Sequence, residues 1–290
     1  MVKLKLNGES VASLGWELGG EGDFFHGGRV LTTLQIIGKR MVDFDRHIER
    51  LTSDAEVLGI DDAPTKEVWH FDIQSLIEDS LISKYYRARL FLFKDRLGKT
   101  QRLVAVQSLP PRSSDMPDPI HLAPVVDKSW PRGSQIKTGI IGRRQVELSS
   151  ARSSGFHDVL WINAEQEVAE ATWANVFFIG RTGDLVEIAT PPESSGILPG
   201  VTRARIMGLL NNARIPVTVR TISSDEIPRF DEAFTTSSIQ GLVPVTLIGR
   251  HTLPTLRKSA VFRHIHHLYE TWLSLDNDYE PSHSKVVMLV

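Results

Sequence analysis

Glu167-Val168-Ala169-Glu170-Ala171-Thr172-Trp173-Ala174-Asn175-Val176-Phe177-Phe178 is the stretch on which the reading of this chain turns. Acidic, small and aromatic residues alternate along it, which predicts a buried strand with the Glu170 carboxylate at its rim. Upstream, Gln135-Ile136-Lys137-Thr138-Gly139 holds one lysine in a short neutral segment ahead of a glycine turn. Alone, a lysine or a glutamate in such a setting is an ordinary solvated side chain. What surrounds the pair in the sequence decides whether they act together.

Composition narrows the field first. The chain has 290 residues, 41% of them apolar, a length that favours two domains and a core needing no covalent staples. Lys and Arg number 33 against 35 Asp and Glu, a balance with no electrostatic footprint for nucleic acid or an anionic membrane. The absence of cysteine removes disulfides, thiolate metal sites and a cysteine nucleophile. Met1-Val2-Lys3-Leu4-Lys5-Leu6 alternates like a strand and lacks the apolar run of a signal peptide, and nothing resembles a membrane span. The expectation is a soluble cytoplasmic protein.

The proline-rich stretch between Leu109 and Pro119 reads as a solvated linker. It divides the chain into a small α+β domain at 1–108, a linker at 109–119, and a larger domain at 120–290 that carries Lys137. In the first part, strands are expected at Leu4–Leu6, Val30–Ile37 and Arg89–Phe93. Helices are expected from Arg46 to Leu58, where Ile48, Leu51, Ala55 and Leu58 recur at helical spacing, and from Trp69 to Ser83. In the second part, strands are expected at Ile120–Val126, Asp158–Asn163, Asn175–Ile179, Val186–Ile188, Phe234–Thr236 and Val243–Ile248. Helices are expected at Gly142–Ser153, Thr202–Asn212 and Ala260–Leu275. The tail from Asp276 to Ser284 is polar, and Lys285–Val290 reads as an edge strand or as disorder.

Three elements suit a phosphate. Gly196-Ile197-Leu198-Pro199-Gly200-Val201-Thr202-Arg203 is a glycine-bracketed turn entering a helix, whose free N–H groups and dipole favour an anion. Thr235-Thr236-Ser237-Ser238 supplies hydroxyls after an apolar strand. His47-Ile48-Glu49-Arg50-Leu51 puts Arg50 beside the apolar face of a helix, where a guanidinium can fork onto phosphate oxygens. Singly, these read as a helix cap, a hydroxyl turn and a snorkelling arginine. Together with a lysine and a carboxylate they meet the needs of pyridoxal phosphate: an amine to hold the aldehyde and a carboxylate to keep the pyridine nitrogen protonated.

In their order along the chain, these motifs resemble the class IV aminotransferases, the fold-type IV pyridoxal phosphate enzymes that include branched-chain and D-amino acid aminotransferases and aminodeoxychorismate lyase. The resemblance runs over roughly residues 25 to 250. It implies an α+β fold with a small N-terminal domain and a larger pseudo-barrel domain. It also implies Lys137 as the lysine of an internal aldimine and Glu170 as partner of the pyridinium nitrogen. Arg50, Val201, Thr202 and Ser238 would hold the phosphate, with Asn175 and Phe177 structural. The implied activity is amino-group exchange between an amino acid or primary amine and a 2-keto acid, in a homodimer. An aminodeoxychorismate lyase-type β-elimination and a non-catalytic family member are the alternatives.

Departures from the family pattern leave the substrate open. The stretch His26-Gly27-Gly28-Arg29-Val30-Leu31-Thr32-Thr33 lacks the acidic and aromatic residues usual there. Ile140-Ile141 stands where branched-chain enzymes carry an Asn-Tyr pair. Arg29 and Arg89 are the candidates for anchoring a substrate carboxylate. No metal site is expected, because His264, His266 and His267 do not share one helix face.

Overall fold

The structure, a computed structural model, describes residues 2–11, 28–78, 83–111, 113, 115–138, 142–182, 185–253 and 260–275. The polar tail, the glycine-rich stretch at 19–22 and His26 lie outside the described residues. The chain divides into two compact units, Met1–Ser113 with Ile136–Ile140, and Ser114–Gln135 with Ile141–Val290.

The first unit is an antiparallel sheet with two helices. Its strands are β1 (Val2–Leu6), β2 (Glu9–Val11), β3 (Arg29–Ile37), β4 (Arg40–Met41), β5 (Tyr85–Lys94) and β6 (Thr100–Ser108), in the order β2-β1-β6-β5-β3-β4. Helix α1 (Phe44–Val57) and helix α2 (Lys66–Glu78) follow β4. Even-numbered residues of β3, among them Val30, Leu34 and Ile36, pack with Leu90 and Leu92 of β5 and Val104 and Val106 of β6. Against them lie Phe44, Ile48, Leu51 and Ala55 of α1 and Trp69, Ile73 and Leu76 of α2. Of the expected stripe, Ile48, Leu51 and Ala55 are buried, whereas Leu58 caps the helix end and is exposed. Truncating a wholly buried member such as Leu51 to alanine costs about 2–5 kcal/mol. Gly59, at φ 64°, takes the left-handed turn that ends α1, a conformation open to glycine at little cost.

Strand β6 is not among the elements expected from the sequence, although it sits inside the sheet. Leu103, Val104 and Val106 are all buried, so apolar residues occur on both faces and the period-2 signal is lost. The segment around Lys137 also departs from expectation. The proline-rich stretch places this lysine in the second domain by sequence order. Its contacts lie instead with the first unit, because the Leu31 N–H of β3 donates to the Lys137 carbonyl at 2.8 Å.

The second unit is built on a mixed sheet. Its strands are β7 (Ile120–Val126), β8 (Asp158–Ile162), β9 (Val168–Ala171), β10 (Asn175–Thr182), β11 (Leu185–Thr190), β12 (Thr218–Val219), β13 (Glu232–Ser237), β14 (Gly241–Ile248) and β15 (His251–Thr252). They run in the order β12-β11-β10-β13-β14-β7-β8-β9, with β15 on β14. Strands β7 and β8 are parallel, and helix α3 (Gly142–Ser153) makes the crossover that a parallel pair requires. Helix α4 (Val201–Asn212) follows β11, and helix α5 (Ala260–Ser274) comes after β15.

Strand β10 is buried on both faces. Phe178 joins Val176, Ile227 and Phe230 in one cluster, while Phe177 stacks on Phe234 of β13 with ring centroids 4.9 Å apart. A stacked aromatic pair of this kind adds about 0.5–1.5 kcal/mol beyond the area it buries. Strand β9 lies antiparallel on β8, and a short turn at 172–174 returns the chain into β10. That turn is closed by an Ala171 N–H to Ala174 carbonyl bond of 2.8 Å, and it brings Glu170 and Asn175 together. No helix among the described residues is long and apolar enough to cross a membrane.

Candidate functional site

Each unit carries one cluster of the residues singled out above. In the first unit the cluster grows from α1, where His47, Arg50 and Asp54 recur at i, i+3 and i+7 and so share a face beside the apolar stripe. Arg50 Nη2 donates to Thr32 Oγ1 of β3 at 2.9 Å. That same hydroxyl lies 2.7 Å from His47 Nδ1. With two lone pairs and one hydrogen, the Thr32 hydroxyl can serve the guanidinium and the imidazole together. Burial first, and then the charges of Arg50 and Lys137, hold the His47 imidazole well below the usual histidine range.

Lys137 is half-buried beside this helix. Its backbone N–H donates to Asp54 Oδ2 at 3.1 Å, and its carbonyl accepts from Leu31 as described. Burial raises the Asp54 carboxyl above the ordinary aspartate value, against the opposing pull of the Lys137 N–H and of the Arg50 and Lys137 charges.

In the second unit the cluster centres on Glu170, which is 5% exposed. Its Oε2 accepts from the Leu198 N–H at 2.9 Å and from Asn175 Nδ2 at 3.1 Å. Arg144 Nη1 of α3 lies 3.6 Å from Oε1, and the Arg144 guanidinium covers the Trp130 ring at 4.3 Å. Hydrogen bonds to a carboxylate contribute about 1.5–3 kcal/mol each.

The turn into α4 is fixed from several sides. Trp130 Nε1 donates to the Gly196 carbonyl at 2.9 Å, and the Gln135 N–H to the Ile197 carbonyl at 3.1 Å. Asn175 Nδ2 also donates to the Leu198 carbonyl at 3.0 Å. Gly200 is the N-cap of α4, and no side chain caps the helix. A Cβ at this position would overlap Asn175 Oδ1, so glycine is required by close approach rather than by its dihedrals, φ −70° and ψ 128°. Behind the cap, buried Arg203 ties the first turn to β11 through Thr190 Oγ1 at 3.1 Å and the Pro191 carbonyl at 2.9 Å.

Thr202 Oγ1 and Ser238 Oγ lie 3.4 Å apart, so the helix start and the hydroxyl turn after β13 adjoin. Val201 and Thr202 are both buried in the first turn. Thr236 pairs in register with Asn175 across β13 and β10. Its Oγ1 is buried with no hydrogen-bond partner among the described residues.

The candidate substrate anchors stand elsewhere. Arg89 of β5 is exposed and pairs with Thr33, one residue out of phase with Thr32, so it projects from the sheet face opposite the Arg50 cluster. Arg29 is buried and donates through Nε to the Thr138 carbonyl at 3.3 Å, next to Lys137. Burial lowers its affinity for its proton.

Sequence alone did not single out Asp54 or Arg144; Asn175, expected to position the strand beside Glu170, touches that carboxylate with its amide. The i, i+3, i+7 spacing of His47, Arg50 and Asp54 is the signal by which Asp54 was findable. Arg144 has none, since an arginine in the first turn of a polar helix reads as solvated.

A family model described as amino-transferase class IV matches residues 29–248. The chain belongs to the class IV aminotransferases. Its fold is that of the fold-type IV members, a small α+β part and a larger pseudo-barrel part. The structure of a Thermobaculum terrenum branched-chain amino acid aminotransferase in its PLP-bound holo form matches with a TM-score of 0.78 at 18% identity, over 92% of both chains. A putative 4-amino-4-deoxychorismate lyase from Legionella pneumophila matches with a TM-score of 0.75 at 22% identity, over 86% of this chain and 92% of that one. Among curated class IV relatives, a probable branched-chain-amino-acid aminotransferase of Thermotoga maritima is 33% identical over 113 residues. That alignment takes in 39% of this chain and 40% of the relative, so the match spans less than half of the relative's length.

Proposed function

We propose that this chain is a pyridoxal phosphate-dependent aminotransferase that exchanges an amino group between an amino acid or primary amine and a 2-keto acid, as a homodimer. One observation carries the reading beyond family membership: a buried carboxylate, Glu170, is held by the Asn175 amide and by the Leu198 N–H of the very turn that opens α4. The second unit therefore offers a fixed anion for a protonated ring nitrogen and, three residues further on, an anion-binding helix start.

The residues present fit the cofactor. The α4 N-terminus lacks a side-chain cap, and Gly200 keeps its approach narrow against Asn175. The buried Thr236 hydroxyl without a partner among the described residues adds an unused donor near Ser238. When bound, pyridoxal phosphate supplies an aldehyde carbon that takes up an amine and a ring that accepts electrons from the bond being broken.

Arg50 would bind phosphate oxygens, as would the Val201 and Thr202 N–H groups and the Thr202 and Ser238 hydroxyls. Glu170 would keep a proton on the ring nitrogen of the bound group. Lys137 Nζ would hold the aldehyde carbon and would move the proton at the substrate carbon. Arg29, beside Thr138, is the proposed anchor for a substrate carboxylate; Arg89, exposed on the face opposite the Arg50 cluster, has no such link to Lys137 among the described residues.

The test is a half-reaction screen. The protein is loaded with pyridoxal phosphate and mixed with a panel of L- and D-amino acids, and the visible absorbance of the bound aldehyde is followed. Loss of the band with release of the matching keto acid is expected, and the band is expected to be absent from Lys137→Ala. Release of pyruvate and aminobenzoate from aminodeoxychorismate without any keto acid would replace exchange by β-elimination. A protein with no such band at all is a binding subunit rather than an enzyme.

A further inference from the structure

Asp54 is a buried carboxylate that the proposed reaction does not use. It lies on α1 at 4% exposure, far from Lys137 in sequence, yet its Oδ2 is the acceptor for the Lys137 backbone N–H at 3.1 Å. An aspartate in a core is expensive unless its oxygens are satisfied, and a neutral acceptor such as serine or asparagine satisfies one N–H at lower desolvation cost. The residue thus brings a charge where a hydrogen bond alone would need none.

The surroundings say what that charge faces. On its own helix stand Arg50, one turn earlier, and His47, which is neutral. From β3, Arg29 reaches the Thr138 carbonyl next to the lysine. From residues 136–138 comes Lys137 itself, whose charge acts on both Asp54 and His47. Lys137 is thus bracketed. The Leu31 N–H holds its carbonyl, Asp54 holds its N–H, and its ammonium lies within electrostatic range of the Asp54 carboxylate.

We propose that Asp54 is a positioning residue for Lys137, fixing the backbone from which the lysine side chain starts and acting as a counter-charge to its amine. The inference rests on Lys137 being the cofactor lysine. The counter-charge opposes the positive field of Arg50. Without it, the Lys137 amine would face the Arg50 charge uncompensated and would lose its proton at lower pH. Burial raises the Asp54 carboxyl and so limits how much charge it offers as pH falls.

The test uses apo protein, pyridoxal phosphate and a hydride reductant, with peptide mass spectrometry reading the fraction of Lys137 trapped as a function of pH. Asp54→Asn keeps an oxygen acceptor for the N–H and removes the charge. Asp54→Ala removes both. Expected is a trapping midpoint that shifts to lower pH in Asp54→Asn, with the adduct still on Lys137. In Asp54→Ala the same shift is expected with a lower yield of the Lys137 adduct relative to other lysines. Circular dichroism identifies a variant that fails to fold, and Asp54→Asn, nearly isosteric, carries the decision in that case. A profile for Asp54→Asn that superimposes on the parent overturns the inference, since a merely structural aspartate would not set the pH midpoint. Absence of any Lys137 adduct in the parent protein overturns the cofactor reading and this inference with it, and is distinguishable from a superimposed profile.

Discussion

Substituting Gly200 by alanine tests the site geometry without reference to any substrate. The new methyl would overlap Asn175 Oδ1 and stand 3.0 Å from its Cγ, so the asparagine side chain must leave its place. In leaving, Asn175 Nδ2 gives up Glu170 Oε2 and the Leu198 carbonyl. A hydrogen bond to a charged group contributes about 1.5–3 kcal/mol and a neutral one about 1 kcal/mol, so the loss is about 2.5–4 kcal/mol. Backbone effects are small by comparison. At φ −70° and ψ 128° alanine is unstrained and gains about 0.4–1 kcal/mol from a stiffer unfolded chain, while alanine is a poorer N-cap by a similar amount.

The decisive comparison is a double-mutant cycle, read from urea unfolding followed by circular dichroism. Gly200→Ala and Asn175→Ala should each cost about 2.5–4 kcal/mol, and the double variant should cost no more than Asn175→Ala alone, within about 1 kcal/mol. The methyl then occupies space that the asparagine has vacated. If the two losses simply add, the substitutions act independently, and the claim that Gly200 exists to let Asn175 reach Glu170 is wrong.

Two further outcomes can be checked. Arg50→Ala should weaken retention of pyridoxal phosphate by about 2–5 kcal/mol, measured by equilibrium dialysis, if binding desolvates its charge pair with the phosphate; unchanged affinity removes Arg50 from the site. His47, neutral in the folded state, binds its proton less readily there than in the unfolded chain, so its contribution is full above the ordinary value of 6.5 and is lost as pH falls from 6.5 toward the depressed folded value. Asp54 has the opposite sign in a lower window, its contribution being present below 3.8 and lost as pH rises through its raised folded value. Unfolding midpoints measured from about pH 8 to about pH 5.5 should therefore fall, and His47→Gln should flatten the slope; an unchanged slope contradicts the buried neutral imidazole.

Much of this architecture was legible in the residues themselves. The Ile48-Leu51-Ala55 stripe specifies α1 because helical spacing and burial on one face coincide, and Ile120–Val126 and Gly142–Ser153 fall where their patterns end. Glu170 and Asn175 stand five residues apart around a short turn, so their contact was close to a local property. Sequence fixed which chemical groups this chain owns, and the order of its motifs pointed to the family.

What required the tertiary structure is every pairing across large sequence separations. Strand β6 hides because both its faces are covered, and no local period marks such a strand. Lys137 joins the first unit through hydrogen bonds to Leu31 and Asp54, partners that no spacing rule connects. Arg144 meets Glu170 because the α3 crossover brings its first turn back beside β9, and the Leu198 N–H reaches the same carboxylate from the turn before α4. A residue type states what a side chain can do. Only the folded backbone decides which charge lies within reach of which, because electrostatic and hydrogen-bond energies depend on distances that the linear order does not contain.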